Sequence, residues 1–572
     1  RAGAGLAQRS PGTPGGVGLV LGAGNVTSIP VADVLYELFA NNRVAMLKLN
    51  PTQETLLPIF TRALAPLIEP GFLRVIAGGP DVGAALTAHP GIDHVHITGS
   101  ASTFERIVWG DGPQARRRRR ENRPALKKPI TAELGGVSPI IVVPGEWSAA
   151  DIRYQAEHIA TMRLQNAGHN CIAGQVVLLS RDWPQRAQFL AALRRAYDEA
   201  TARMPWYPGS SERMDAAAAA YPDAMWCGDR TRLLVETEAG AVPGPIEETE
   251  YFAPVLGVIT LPGLGQDFLD AAVAHANERL TGTLGANILI DPATEAALGD
   301  GFERAIADLR YGAIAINAWT AFVFLTPTLT WSAFPGSTLQ DVGSGIGIVH
   351  NALLLDDVER SVARGPFRPF PRSLTALVRG GRFSVLPKPP WFVSSRTGAT
   401  VSEGFTRFRM NRRWPALAAT LLRAFRAWPR AATTPHASAL VARTGRMPGA
   451  SASAGRNQPR NHTAIDSAST TRVTTRVQTP TGSPAMPPPI CANAMSPQGT
   501  MPMTAASAAG RRRPRMPRGA AGASEAWAGL GVGARAGVRV GAGAGSRSGS
   551  ARRGETRAPS RASIMTAPAV SA

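Results

Sequence analysis

From Val17 to about Phe334, short runs of β-branched and aliphatic residues alternate with stretches whose apolar positions recur every three or four residues. A period of two builds a strand and a period near 3.6 builds a helix face, so this alternation predicts an α/β chain with a largely parallel sheet. VGLVLGAG (17–24), RVAMLKL (43–49), FLRVIAG (72–78) and HVHITGS (94–100) read as strands. VADVLYELFANN (31–42) and QETLLPIFTRALAPL (53–67) read as the helices between them. A second set of strands follows in PIIVVP (139–144), GQVVLLS (174–180), VLGVITL (255–261), ANILID (286–291) and GAIAIN (312–317). The most apolar window, AWTAFVFLTPTLTWSAF (318–334), is short for a membrane span and contains Pro327, so it is expected to be core or pocket wall, and no membrane span is expected. QARRRRRENRPALKK (114–128) breaks the pattern and is expected to be a solvated basic loop. RRWPALAATLLRAFRAW (412–428) predicts an amphipathic helix that packs on its own domain.

Composition changes this picture at the C-terminal end. Of 61 basic and 41 acidic residues, 25 arginines and 4 acidic residues lie from Val401 onward, which leaves 36 against 37 in the part before it. The basic balance therefore belongs to the tail and says nothing about whether the folded part meets nucleic acid or acidic substrates. Beyond about Ala431 the chain is Ala, Gly, Ser, Thr, Pro and Arg with few large apolar residues, too little to offset the entropy of ordering it, so 431–572 is expected to be disordered. The first residue is Arg1, no charged-then-apolar export pattern follows, and a missing N-terminal portion is expected.

The three cysteines, Cys171, Cys227 and Cys491, show no metal-ligand spacing and no disulfide framework, which points to a reducing, cytoplasmic setting and to no metal. Cys171 lies in QNAGHNCIAG (165–174), beside Asn and Gly in a loop-prone segment, either as a reactive thiol or as a small core residue. A thiol becomes a catalyst when a base or a positive dipole raises its thiolate fraction and donors await the oxyanion it creates. Glu133 in TAELGGVSP (131–139) offers a carboxylate before two glycines that let the backbone turn closely, and Asn25 in GAGNVTSIP (22–30) offers an amide at the carboxyl end of the first strand.

ITGS (97–100), AELGGVSP (132–139), NAGHNC (166–171), ETEYFAPVL (248–256), LTGTLGA (280–286), GAIAIN (312–317) and FPGSTLQDVGSG (334–345) together resemble the aldehyde dehydrogenase superfamily in order and spacing. The resemblance implies an α/β fold with a Rossmann-type cofactor domain (1–134, incomplete at its start), a catalytic domain (135–350), a C-terminal segment (351–430) with an oligomerisation strand and the amphipathic helix, and the tail. It implies that an aldehyde is oxidised to a carboxylic acid with NAD or NADP through a cysteine thiohemiacetal and thioester. Cys171 then corresponds to the nucleophile, Glu133 to the general base and Asn25 to the oxyanion amide. Lys48, Gly99, Ser100, Glu250 and Phe252 correspond to cofactor-binding residues, and a homo-oligomer is implied for the complete protein.

The departures are specific. His169 stands where the family has Gln, which either alters the thiol or exchanges one hydrogen-bonder for another. Gly24-Asn25-Val26-Thr27 replaces Trp-Asn-Phe-Pro, and in LKLNPTQE (47–54) Gln53 and Glu54 are displaced relative to Lys48, leaving NAD against NADP open. A CoA-dependent acyl reductase or acylating dehydrogenase is the nearest alternative, against which the retained Glu133 favours water as acyl acceptor. An inactive truncated relative with a polyanion-binding Arg-rich tail is the other, and a tail translated in a shifted frame is a third account. No specific nucleic-acid partner is expected, because the tail lacks interleaved aromatics.

Overall fold

The computed structural model describes residues 15–355, 357–379, 382–426 and 563–568. The first strands are β1 (Val17–Leu21), β2 (Val44–Lys48), β3 (Leu73–Ile76), β4 (His94–Thr98) and β5 (Ile130–Glu133). They are followed by β6 (Ser138–Val142), β7 (Gly174–Ser180), β8 (Met225–Cys227), β9 (Arg232–Glu238), β10 (Val255–Leu261), β11 (Gly285–Leu289) and β12 (Ala313–Ile316). β13 (Gly345–Ile346), β14 (Val358–Arg364) and β15 (Ser563–Pro568) complete the described set.

Two sheets result, a six-stranded one ordered β13-β5-β4-β1-β2-β3 and a nine-stranded one ordered β15-β14-β12-β11-β6-β7-β10-β9-β8. All ladders are parallel except β13 on β5 and β8 on β9, in agreement with the α/β reading. Both faces of each sheet are covered. In β1, Leu19 packs with Phe104 and Trp109 from the helix Ala101–Trp109, while Val20 packs with Val34 from the helix Ile29–Phe39. In β6, Ile140 packs with Ile152 and Ile159 of the helix Ala149–Leu164, and Ile141 with Phe268 and Leu269 of the helix Gly265–Arg279. Each such buried aliphatic contributes about 1.5–3 kcal/mol, so a one-residue slip that moved a whole strand's set to the wrong face is excluded.

β4 is the exception. Val95 and Ile97 join the apolar side, but His94, His96 and Thr98 alternate with them and are all buried on the side of the helix Ile29–Phe39, where Asp33 and Glu37 stand one turn apart and are also buried.

Two expectations change and others hold. Residues 114–128 do not form a loop throughout, because Gly112–Arg120 is a helix with Pro113 in its first turn. Arginine is a good helix former, and the charges find partners: Arg117 with Glu121 at 2.8 Å, and Arg119 with Glu105 at 2.6 Å and with the Gln340 carbonyl. The window 318–334 contains a short helix, Ala321–Phe324, and buries Trp331 completely. The helix Trp414–Arg426 packs against the helix Gly398–Asn411 through Leu421, Ala424, Val401 and Phe405, and no helix among the described residues is long and apolar enough to cross a membrane. Most of the tail for which disorder is expected lies outside the described residues, but Ser563–Pro568 is a strand, paired parallel to β14. Its ladder is made by backbone groups, which a scan for large apolar side chains does not register.

Gly312, immediately before β12, has no room for a side chain: a Cβ there overlaps the Ser332 carbonyl oxygen and lies 2.7 Å from the Ala333 carbonyl carbon. Backbone atoms on both sides cannot rotate away, so Gly312→Ala is expected to cost about 1–3 kcal/mol and to lower Tm by several degrees in calorimetry. An unchanged Tm would show that the segment around Ser332 yields freely.

Candidate active site

The helix Ala149–Leu164 runs into a turn in which Asn166, Ala167 and Gly168 have φ of 52°, 52° and 80°, three left-handed residues in succession. Ala167 is costly in that conformation, about 1–3 kcal/mol, and persists because the surroundings over-determine it. The Asn166 amide donates to the carbonyls of Asn25 (3.0 Å) and His169 (3.1 Å) and accepts from the Trp206 indole at 3.0 Å. Buried Arg163 donates to the Ala173 and Ala253 carbonyls, and the Trp319 indole donates to Ile172 at 3.0 Å. The result is a rigid loop that presents Cys171 to a cavity of about 170 Å³.

Glu133, the last residue of β5, meets Cys171 in that cavity. The thiol donates to Glu133 Oε1 at 3.5 Å, and the same oxygen accepts from the Trp331 indole at 2.8 Å. Glu133 Oε2 is buried with no hydrogen-bond partner among the described residues. Burial, reinforced by the nearby Asp33 carboxylate, pushes the Glu133 pKa up to about 7 against the opposing pull of Trp331, His96 and Cys171. Burial first, and then the carboxylates of Glu133 and Glu250, hold the Cys171 thiol well above the usual thiol range. The free protein thus keeps a protonated thiol beside a carboxylate that titrates near neutrality, and a backbone hydrogen bond at Cys171 opposes the rise in the thiol's pKa.

Asn25, Gly99, Ser100, Glu250 and Phe252 line the same cavity. Asn25 donates one amide hydrogen to the His169 carbonyl at 2.9 Å, and an amide carries a second. Ser100 caps the helix Ala101–Trp109, its Oγ accepting from Thr103 N at 3.2 Å. Glu250 sits over Gly135, where any Cβ would overlap its carboxylate, and Oε1 of Glu250 is buried with no hydrogen-bond partner among the described residues. Burial pushes the Glu250 pKa up to about 7, opposed by Arg163, the Gly136 N–H and Arg213. Lys48 does not line this cavity: it ends β2, is buried, and has its pKa lowered by burial against the opposing charges of Glu54 and Asp81. All these positions except Cys171, Glu250 and Phe252 lie at the carboxyl ends of β1, β2, β4 and β5, the ligand edge of a parallel sheet.

His169 turns away from the thiol's chemistry. Its ring is fully buried among Trp206, Tyr207 and Phe252, Nε2 lies 3.1 Å from Ser210 Oγ, and burial pushes its pKa down to about 4, so it is neutral at pH 7. Tyr207 and Arg213 also line the cavity, and Trp331 and Asp33 act on Glu133; none was singled out from sequence as part of the site except Trp331, as a wall residue. The signal for Asp33 was legible in principle: Asp-x-x-x-Glu in a helix and His-x-His-x-Thr in a strand each put charge on one face of an otherwise apolar element.

One proton is shared between Cys171 and Glu133, which fixes how alkylation responds to pH. Once Glu133 ionises, the fraction in which the thiol has passed its proton to Glu133 becomes constant, so alkylation of Cys171 by iodoacetamide, followed by mass spectrometry, is expected to rise to about pH 7 and then flatten. Glu133→Gln removes both the acceptor and the repelling charge, so its rate continues to climb and exceeds the unsubstituted protein's by about tenfold at pH 8, with the two converging below pH 7. A slower Gln variant at pH 8 contradicts this arrangement.

Residues 10–211 match the family model described as Aldehyde dehydrogenase family. The chain is 28% identical over 301 residues to N-succinylglutamate 5-semialdehyde dehydrogenase of Sphingopyxis alaskensis, covering 48% of this chain and 57% of that protein. It is 26% identical over 302 residues to betaine aldehyde dehydrogenase of Vibrio vulnificus, covering 47% and 55%. A solved structure of the Mycobacterium tuberculosis aldehyde dehydrogenase complexed with NAD+ aligns at 22% identity with a TM-score of 0.46, covering 59% of this chain and 66% of that one. The chain therefore spans a little over half the length of the curated relatives it matches. Asn25, Glu133 and Cys171 all lie inside the segment, residues 10–211, that matches the aldehyde dehydrogenase family model.

Proposed function

We propose that this protein oxidises an aldehyde to a carboxylic acid with NAD or NADP, with Cys171 as nucleophile and Glu133 as general base. The observation that carries this reading is the 3.5 Å contact between Cys171 Sγ and Glu133 Oε1 in a cavity that also holds Asn25 and Glu250. Sulfur attacks the aldehyde carbon as its proton passes to Glu133. The carbonyl oxygen takes on negative charge, for which the second Asn25 amide hydrogen and the Cys171 N–H are the available donors. Bound NAD(P)+ supplies the acceptor for the hydride that the resulting thiohemiacetal carbon loses. Glu133 releases that proton to solvent and, again a carboxylate, takes a proton from water, whose oxygen attacks the thioester carbon; the C–S bond breaks and the leaving thiolate takes the proton from Glu133, which restores the thiol. A carboxyl with a pKa near 7 can both accept and release a proton at neutral pH, which suits these alternating duties.

The residues present fit a dinucleotide. The first turn of the helix Ala101–Trp109 offers backbone N–H groups to a pyrophosphate beside Gly99 and Ser100. The unpartnered Glu250 Oε1 can accept from a ribose hydroxyl, with Phe252 alongside, and Lys48 is the remaining candidate for the distal ribose. Self-association belongs to the same proposal.

Cys171→Ala is expected to abolish cofactor reduction over a panel of aldehydes, whereas Cys227→Ala, at a buried position outside the cavity, stays within a few-fold. At pH 8, where the thiol of the Gln variant ionises without Glu133, Glu133→Gln is expected to give a burst of reduced cofactor followed by a slow steady state; a steady state as fast as the unsubstituted protein's removes Glu133 from the water step. Gly135→Ala, which displaces Glu250, is expected to weaken NAD(P) binding by about tenfold in calorimetry, a loss of about 1.4 kcal/mol.

A further inference from the structure

We propose that Asp33 and His96 form a buried ion pair that acts as a positioning couple for Glu133, fixing the charge state of the base from behind the cavity. The proposal rests on Glu133 being the base beside Cys171. Its geometry starts from β4 and β5, whose register sets Thr98 opposite Glu133 and His96 opposite Thr131. His96 Nδ1 lies 2.8 Å from Thr131 Oγ1, and its Nε2 lies 3.6 Å from Asp33 Oδ1 and 3.3 Å from Thr98 Oγ1. Thr98 donates to Asp33 Oδ2 at 3.2 Å and itself lines the cavity. Asp33 is 2% and His96 5% exposed, so neither charge is shared with solvent. Two carboxylate oxygens in this cluster, Asp33 Oδ1 and Glu133 Oε2, have no hydrogen-bond partner among the described residues.

A buried carboxylate this close to Glu133 would suppress ionisation of the base unless a cation balanced it, and His96 is the cation within reach. Burial alone would drive His96 neutral, but the Asp33 carboxylate, with Glu37 and Glu133 beyond it, raises its pKa above the ordinary histidine value. The other groups around the pair do not supply that charge. His94, 3.4 Å from Glu37, is pushed down to about 4 by burial; His350, stacked on Trp331, is likewise pushed down to about 4 by burial; Arg43 is engaged with Glu37 at 2.9 Å. From the remaining sides Glu133 meets the Trp331 N–H and the Cys171 thiol, with Glu250 acting on the thiol. The pair makes no contact with the thiol, so its effect reaches the chemistry through Glu133.

The two halves of the pair push Glu133 in opposite directions, Asp33 more strongly than His96. The pH profile of Cys171 alkylation by iodoacetamide reads Glu133 without aldehyde or cofactor. In the full chain, Asp33→Asn is expected to move the inflection below 7, because it removes the larger repulsion and the imidazolium that depended on it. His96→Gln is expected to move it above 7, because it strips the cation from a buried carboxylate. Residues that only support the fold would lower reactivity without shifting the inflection in opposite directions; coincident shifts, or none, overturn the proposal. If the variants do not fold, ¹⁵N titration of histidine-labelled unsubstituted protein decides: a folded-state imidazolium must persist above the ordinary histidine range, and its absence overturns the pair. Opposite shifts in a protein with no aldehyde turnover would sink the dehydrogenase reading alone.

Discussion

The site is governed by desolvation of like charges around one sulfur. In the proposed chemistry Cys171 becomes an anion, yet Glu133 is buried and Glu250 half-buried near it, and burial raises the pKa of each to about 7. In such a setting like charges repel, so while Glu133 is present a proton leaving the thiol near neutral pH is taken up by it. Much of the surrounding structure serves that condition. Trp331 supplies a neutral donor to Glu133, Arg163 and the Gly136 N–H attend Glu250, and His169 is kept neutral and turned to Ser210.

The fold contributes by convergence. Parallel strands point their carboxyl ends the same way, so Asn25 after β1, Ser100 after β4 and Glu133 at the end of β5 meet although their sequence positions are far apart. The second sheet supplies the cysteine from the turn that precedes β7, and Glu250 and Phe252 from the turn that precedes β10. The strained backbone of Asn166, Ala167 and Gly168 is what allows the chain to leave a long buried helix and re-enter a central strand within so few residues.

Where strand signals failed, charge hid them. β14 reads VERSVAR and β9 RLLVETE, and neither has the clean apolar run of VLGVITL, because their burial is completed by partners elsewhere in the chain. Arg360 donates to the Ile306 and Leu309 carbonyls, Arg364 pairs with Glu303 at 2.6 Å, and Arg232 donates to Tyr197 and Ala200. The arginine-rich stretch after Asp111 misled in the other direction, since composition that suits a solvated loop suits an exposed helix equally well.

The amino-acid sequence by itself determined the alternation of elements, because the two periods follow from backbone geometry and need no partner. It also determined the chemistry-bearing segments around Asn25, Glu133, Cys171 and Glu250, since a turn that takes a left-handed backbone or a close approach restricts its residues locally. Tertiary structure alone decided that Trp331 reaches Glu133 across the chain, that His169 is inert, that Lys48 stands outside the cavity, and that the charged faces of β4 and the helix Ile29–Phe39 are turned toward each other rather than to water. These are matters of distance and dielectric, and both are set by which surfaces pack together, a property that no stretch of sequence possesses alone.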